Sequence, residues 1–292
     1  MNNKLSSIGI IGLGRMGYGI AANIISKSNK VIYVYDKDIS KSLKLRSDFG
    51  TNCEVCSSLK DIVKKSTVIL TCLPIPDISR EVIIGKSGIA KLAIRGTIVV
   101  ELSTLSPEES LLISVSCKKN GVFYLESPIK GRESDANLGI VHLEIGGTIS
   151  LYRKVKPILE LFAKKITYTG KIGSAATLKL LRNAPRYTNL ILSFEILEII
   201  KKIGLSRQHQ KILLSGILDN VNWVWKKNID NILAKKVSPS ECIDIRTKDT
   251  LMIKKFVKKY GHFPVTELTH QIFSEYNLKK RDNVINLLEN IK

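Results

Sequence analysis

The chain has 292 residues, with 46 Lys and Arg against 26 Asp and Glu, a net charge of +20 at pH 7, and a composition that is 44% hydrophobic and 25% charged. That length accommodates about two domains and a substantial core, and no run of about 18 apolar residues is present to span a membrane. The lysines are spread from Lys41 and Lys44 to Lys258 and Lys259 without a basic tail or a nucleic-acid motif, so the charge reads as a solvated surface and nucleic acid is not expected as a partner.

The chain opens on a short apolar run, Ile8, Ile10 and Ile11, of buried-strand type. Arg15 and a glycine turn interrupt it, so it does not read as a secretory leader, and a cytoplasmic location is expected. Gly12, Gly14 and Gly17 follow in the spacing G-x-G-x-x-G, ahead of a helix from about Arg15 to Ser28 and a second strand, Val31 to Tyr35, that ends in Asp36. Each part has a physical use. The first glycine permits a sharp turn, the second lets backbone approach a pyrophosphate, and the third lets helix and strand pack closely. The helix start directs amide N–H groups at the phosphates, and a carboxylate at Asp36 would bond ribose hydroxyls. This stretch predicts a dinucleotide-binding unit.

A helix over roughly Ile39 to Asp48 precedes a third strand in T-N-C-E-V-C. Cys53 and Cys56 form a C-x-x-C within it. With five cysteines, no second pair and no short secreted chain, they read as structural thiols. The four histidines show no metal-ligand spacing, so no metal is expected. Ser57 is placed to cap a helix carrying Leu59, Ile62 and Val63, and Thr67 to Cys72 is a continuous apolar run fit for a buried parallel strand. It breaks at Leu73-Pro74, where the chain turns at the carboxyl edge of the sheet. Thr97 to Glu101 is the fifth strand, with a helix opening near Pro107. Val122 to Ser127 is the sixth, and Val141 to Ile145 and Ile166 to Thr169 complete the sheet. Alternating strands and helices predict an α/β, Rossmann-type doubly wound parallel sheet over residues 1–172.

From residue 173 the pattern is helical only, which predicts an all-α substrate and oligomerisation domain over 173–292. Ser174 is placed to cap a long interdomain helix reaching about Lys202, ended by Gly204 and kinked or divided at Pro185. Further helices are expected around Gln208 to Leu218, Val221 to Ala234, Thr250 to Tyr260, Val265 to Tyr276 and Asp282 to Ile291, and their broad apolar faces predict a homo-oligomer, dimer or tetramer.

Five motifs in this order resemble the β-hydroxyacid dehydrogenase family, which includes 3-hydroxyisobutyrate dehydrogenase and the tartronate and glyoxylate/succinic semialdehyde reductases. They are G-L-G-R-M-G at Gly12 to Gly17, C-L-P at Cys72 to Pro74, E-L-S-T at Glu101 to Thr104, I-G-S-A-A-T-L-K-L-L-R-N at Ile172 to Asn183, and T-K-D at Thr247 to Asp249 followed by F-P-V-T at Phe263 to Thr266. The resemblance spans nearly the whole chain. It implies that Gly12, Leu13, Gly14, Arg15, Met16, Gly17 and Asp36 hold the adenosine and pyrophosphate of NAD, with NADP as the alternative. It also implies that Leu73, Pro74, Thr104 and Lys248 line the cofactor path, and that Lys179 and Asn183 are catalytic. The chemistry agrees. Moving a hydride to or from nicotinamide makes or breaks a carbinol oxygen, which needs a proton partner, and a lysine serves as acid in one direction and base in the other. Lys179 and Asn183 are i and i+4, on one helix face.

Two departures bear on the substrate. Where the family has S-G-G, with the serine and backbone amides gripping a substrate carboxylate, this chain has Lys130, Gly131 and Arg132, and the first asparagine of K-x-x-N-N is Arg182. Lys130, Gly131 and Arg182 are therefore the substrate-binding candidates, for a small anionic substrate. The expected reaction is hydride transfer between a nicotinamide cofactor and a small 3-hydroxy acid or aldehyde acid. The alternatives are an NADPH-dependent semialdehyde reductase and a non-catalytic dinucleotide-binding module of the same fold.

Overall fold

The computed structural model describes residues 7–209, 212 and 243–278, which divide into two compact units at Lys179/Leu180. The expected helices around 221–234 and 282–291, and most of the one around 208–218, lie outside the described residues.

In the first unit, β1 (Ile8–Ile11), β2 (Ile32–Tyr35), β3 (Cys53–Val55), β4 (Val68–Thr71), β5 (Ile98–Glu101) and β6 (Phe123–Glu126) are parallel neighbours in the order β3-β2-β1-β4-β5-β6. The helices α1 (Arg15–Lys27), α2 (Ile39–Phe49), α3 (Leu59–Lys65), α4 (Pro76–Ile84), α5 (Ile89–Leu92) and α6 (Pro107–Lys119) connect them. The reason is visible in burial. β1, β4 and β5 are buried at every position, as strands covered on both faces must be. Ile8, Ile10, Val68 and Leu70 pack with Ile20 and Ile24 of α1 on one face, whereas Ile11, Ile69 and Val99 pack with Ile62, Ile83 and Ile113 on the other. Each such side chain, fully withdrawn from water, contributes about 1.5–3 kcal/mol.

The sheet is mostly parallel, as expected, with antiparallel pairing beyond β6. The chain forms β7 (Ile129–Lys130), α7 (Glu133–Asn137), β8 (Val141–Gly146), α8 (Ile149–Leu159) and β9 (Ala163–Gly170); β8 runs antiparallel to both β6 and β7 and parallel to β9. The two-residue β7 is too short to show alternation, so P-I-K-G-R-E-S does not declare itself as a strand. Ser58, not Ser57, caps α3: its side chain accepts from the Asp61 amide.

The long helix α9 (Ser174–Ile203) includes Pro185 without being divided there, which leaves the kink of the two alternatives. Its Ser174 hydroxyl donates to the Lys171 carbonyl at 2.6 Å and pairs with Thr169 at 2.8 Å, so it does not cap the helix. In the second unit α10 (Ile243–Val257) and α11 (Pro264–Leu278) pack around a core of Leu180, Tyr187, Met252, Ile253 and Phe273. Among the described residues no helix is long and apolar enough to cross a membrane.

Candidate active site

The parallel strand order sets the site. The carboxyl ends of β2, β1, β4, β5 and β6 lie side by side, so Asp36, the Gly12–Gly17 turn, Leu73, Thr104 and the segment entering β7 follow one another along one edge. At about 4.8 Å per strand this row is about 19 Å long, and it crosses the point between β1 and β4 where the strand order reverses.

Gly12 and Gly17 are required by the fold itself. Gly12 has φ +91°, and a Cβ there would lie 2.3 Å from the Cys72 carbonyl; a Cβ on Gly17 would lie 1.9 Å from the Gly12 carbonyl. Gly14 differs. It has an ordinary φ of −66°, and a Cβ on it would meet nothing within 4 Å. It stands exposed as the N-cap of α1, which has no side-chain cap bond and no acid in its first turn. The space that Gly14 leaves open therefore faces unopposed helix amides, which fits the phosphates of a dinucleotide. Leu13 is buried, with Arg15 and Met16 half-buried beside it. The Leu13 amide donates to Asp36 Oδ2 at 2.6 Å and the Asp38 amide to Asp36 Oδ1 at 2.9 Å, which fixes the carboxylate beside the turn. Lys41 Nζ lies 3.5 Å from the same Oδ1.

Further along the row, the Leu73 amide donates to Ser103 Oγ at 2.7 Å, and the Ser103 amide donates to Glu101 Oε1 at 2.8 Å. These two bonds tie the β4 and β5 turns together, with Pro74 exposed and Thr104 half-buried. Glu101 sits 1% exposed at the end of β5, directly paired in register with Glu126 of β6. Burial pushes both carboxyls above the usual range; the Ser103 hydroxyl and amide oppose it at Glu101, and the Ser110 hydroxyl and helix amides oppose it at Glu126. A folded-state value above the unfolded one means that the folded protein holds the extra proton. The stabilisation from Glu101 is thus complete below its ordinary value of 4.5 and is lost as pH rises through the raised folded value. Thermal unfolding of Glu101→Gln across this range is expected to show a weaker fall in stability with rising pH than the parent chain.

Lys179, half-buried on α9, donates from Nζ to the Ile129 carbonyl at 2.6 Å. Lys130 and Gly131 follow Ile129 directly and are exposed, Lys130 opposite His142 of β8. The structure thus brings the lysine to the β6 end of the row, beside the segment expected to hold substrate. In the second unit, Asn183 is 4% exposed and donates from Nδ2 to Asp249 Oδ2 at 3.2 Å; the Tyr187 hydroxyl donates to the same oxygen at 2.7 Å. Lys248 Nζ pairs with Asp249 Oδ1 at 3.2 Å. Arg182 is half-buried. Asp249 therefore links two expected site residues, Asn183 and Lys248. Asp249 and Ser103 lie within T-K-D and E-L-S-T, yet nothing in those motifs marks them, or Glu126, as site residues.

A glycine turn whose middle glycine leaves open space before unopposed helix amides, beside a fixed carboxylate at the next strand, defines a dinucleotide-binding unit. Residues 7–170 match the family described as the NAD binding domain of 6-phosphogluconate dehydrogenase. The chain is 24% identical over 273 residues to 2-(hydroxymethyl)glutarate dehydrogenase of Eubacterium barkeri, covering 92% of this chain and 89% of that one. It shares its fold with a Mycobacterium tuberculosis 3-hydroxyisobutyrate dehydrogenase solved with L-serine (TM-score 0.82, 21% identity, 96% of each chain). It likewise resembles Psf3 in complex with NADP+ and 2-OPP (TM-score 0.85, 21% identity, 98% of this chain and all of that one). This chain belongs to the β-hydroxyacid dehydrogenase family and is an NAD(P)-dependent dehydrogenase of that kind.

Proposed function

We propose that this dehydrogenase interconverts a small anionic 3-hydroxy acid and its aldehyde acid, with Lys179 as the proton partner of the carbinol oxygen. The observation that carries the reading is the 2.6 Å bond from Lys179 Nζ to the Ile129 carbonyl, which holds the ammonium next to Lys130 and Gly131. In this reading the Gly131 amide and the Lys130 ammonium take the substrate's carboxylate, and Arg182 adds positive charge. Asn183, one helical turn after Lys179, is the second catalytic residue in this reading; one Nδ2–H is given to Asp249, which leaves its other Nδ2–H and its carbonyl oxygen for substrate or lysine. A nicotinamide cofactor, when held along the sheet edge, would supply or accept the hydride. Lys179 gives a proton to the carbonyl oxygen in reduction and removes it from the hydroxyl in oxidation. A panel of short hydroxy acids and aldehyde acids, including dicarboxylate, phosphorylated and sulfonated members, assayed with both cofactors in both directions, tests this; turnover of none of them favours the non-catalytic module.

NAD is the proposed cofactor, with Leu73, Pro74, Thr104 and Lys248 along its path. A fixed Asp36 carboxylate repels a 2′-phosphate, and Lys41 at 3.5 Å offsets part of that repulsion. NADH is expected to bind more tightly than NADPH by about tenfold, ~1.4 kcal/mol, and Lys41→Ala to widen the gap. A fluorescence titration that finds NADPH the tighter ligand defeats the Asp36 argument. A cytoplasmic location and a homo-oligomer complete the reading. The buried, unbridged thiols of Cys53, Cys56 and Cys117 suit a reducing compartment, and exposed Leu111, Leu112 and Val115 on α6 offer an apolar face to a second subunit, which sedimentation would detect.

A further inference from the structure

Among the described residues, Glu126 is a buried carboxyl, 1% exposed, that the proposed mechanism leaves unused. Its Oε1 accepts from the Gly173 amide at 2.8 Å and the Ala175 amide at 2.9 Å, with the Ala176 amide at 3.5 Å. These are the amides at the start of α9, which lack intrahelical partners, and the Ser174 hydroxyl donates to the Lys171 carbonyl. Three residues after Glu126, the Ile129 carbonyl holds Lys179 Nζ at 2.6 Å. The segment Glu126–Ile129 is buried throughout and therefore grips α9 twice, at its first amides and at the lysine it carries.

We propose that Glu126 is the positioning residue for Lys179: by clamping the start of α9 to the end of β6, it sets the register in which the Lys179 ammonium meets the Ile129 carbonyl. A side chain roughly 6 Å long, rotating about a helix, moves its tip by ångströms when its first turn frays, and proton transfer tolerates little misplacement. The carboxyl acts here through its oxygen as an acceptor. Its charge is not what the helix amides need, because a neutral amide oxygen in the same place accepts the same bonds. The proposal rests on Lys179 being the acid–base group, but the clamp itself is measurable without turnover.

The test is the acylation rate of Lys179, read peptide by peptide by mass spectrometry after trace acetic anhydride, with the exposed Lys154 of α8 as internal reference. In Glu126→Ala the lysine is released from the Ile129 carbonyl, and its rate relative to Lys154 is expected to rise by about threefold or more. Glu126→Gln, which keeps the acceptor, is expected to stay within about twofold of the parent. A purely electrostatic role predicts that the Gln and Ala variants change alike, which would overturn the proposal. So would a folded Glu126→Ala chain with an unchanged Lys179 rate. Should Glu126→Ala not fold, Glu126→Asp withdraws the carboxyl by one methylene and takes its place with the same expected rise, and an unchanged rate there overturns the proposal equally. Failure of the catalytic reading shows elsewhere, as turnover that survives loss of Lys179 while the Glu126 effects on labelling persist.

Discussion

Lys179→Ala is expected to abolish turnover, lowering kcat by on the order of 100-fold or more, while NADH affinity stays within about threefold of the parent. The separation follows from placement. Lys179 is bonded at the β6 end of the sheet edge, whereas the phosphate turn stands at the end of β1, three strand spacings or about 14 Å away. The lysine sits half-buried with its ammonium on a carbonyl, so the truncation leaves that carbonyl short of one donor and otherwise removes little packing. A folded variant that keeps more than about a tenth of the parent kcat takes Lys179 out of the mechanism. Asn183→Ala lowers activity less, and differs in kind. It strips a donor from Asp249, 3% exposed, so it also costs about 1–3 kcal/mol of stability. Circular dichroism melts of the two variants, run beside the kinetics, separate the losses.

What the sequence made legible was whatever repeats a strong local signal. The first six strands announce themselves through apolar runs and turn residues, and their parallel direction followed from the alternation, whereas α4 and α5, between Pro74 and Thr97, were not read from the sequence. β7 did not, because two residues carry no period, and with it the antiparallel turn that places Lys130 was hidden. Pro185 read as a kink or a division, and α9 is not divided there: one missing amide bond costs a few kcal/mol locally, and Leu180, Tyr187 and Ile191 pack in the core on either side of it. The acids were legible as residues but not as partners. Glu101 looks like the end of a strand and Glu126 like a polar residue before a proline; only the fold shows that both are buried and bonded to backbone amides, Glu101 within the β5 turn and Glu126 at the start of α9. The C-x-x-C shows the opposite lesson. Both thiols are fully buried, and burial raises Cys53 to about 11 and Cys56 to about 12, which keeps them protonated and inert, as the absence of a partner pair led one to expect.

Gly14→Val is expected to fold as the parent does and to lose dinucleotide binding, with NADH affinity falling by on the order of 100-fold or more. The three glycines of the turn look equivalent in sequence and are not equivalent in space. At Gly12 and Gly17 a side chain would strike backbone carbonyls 2.3 and 1.9 Å away, so substitution there disrupts the turn and says nothing about a ligand. At Gly14 the protein offers no obstacle: φ is −66° and ψ is −171°, a conformation that valine adopts readily, and a Cβ meets nothing within 4 Å. Stability is therefore expected within about 0.5 kcal/mol of the parent in urea unfolding. What the valine does occupy is the open approach to the first amides of α1, which is where a pyrophosphate must come to be bonded by them. The comparison with Gly17→Ala sharpens the test, because that change should lower stability and binding together. If folded Gly14→Val binds NADH as tightly as the parent, the phosphates do not lie against this turn, and the order of Asp36, Gly14, Leu73, Thr104 and Lys179 along the sheet edge is not the path of the cofactor.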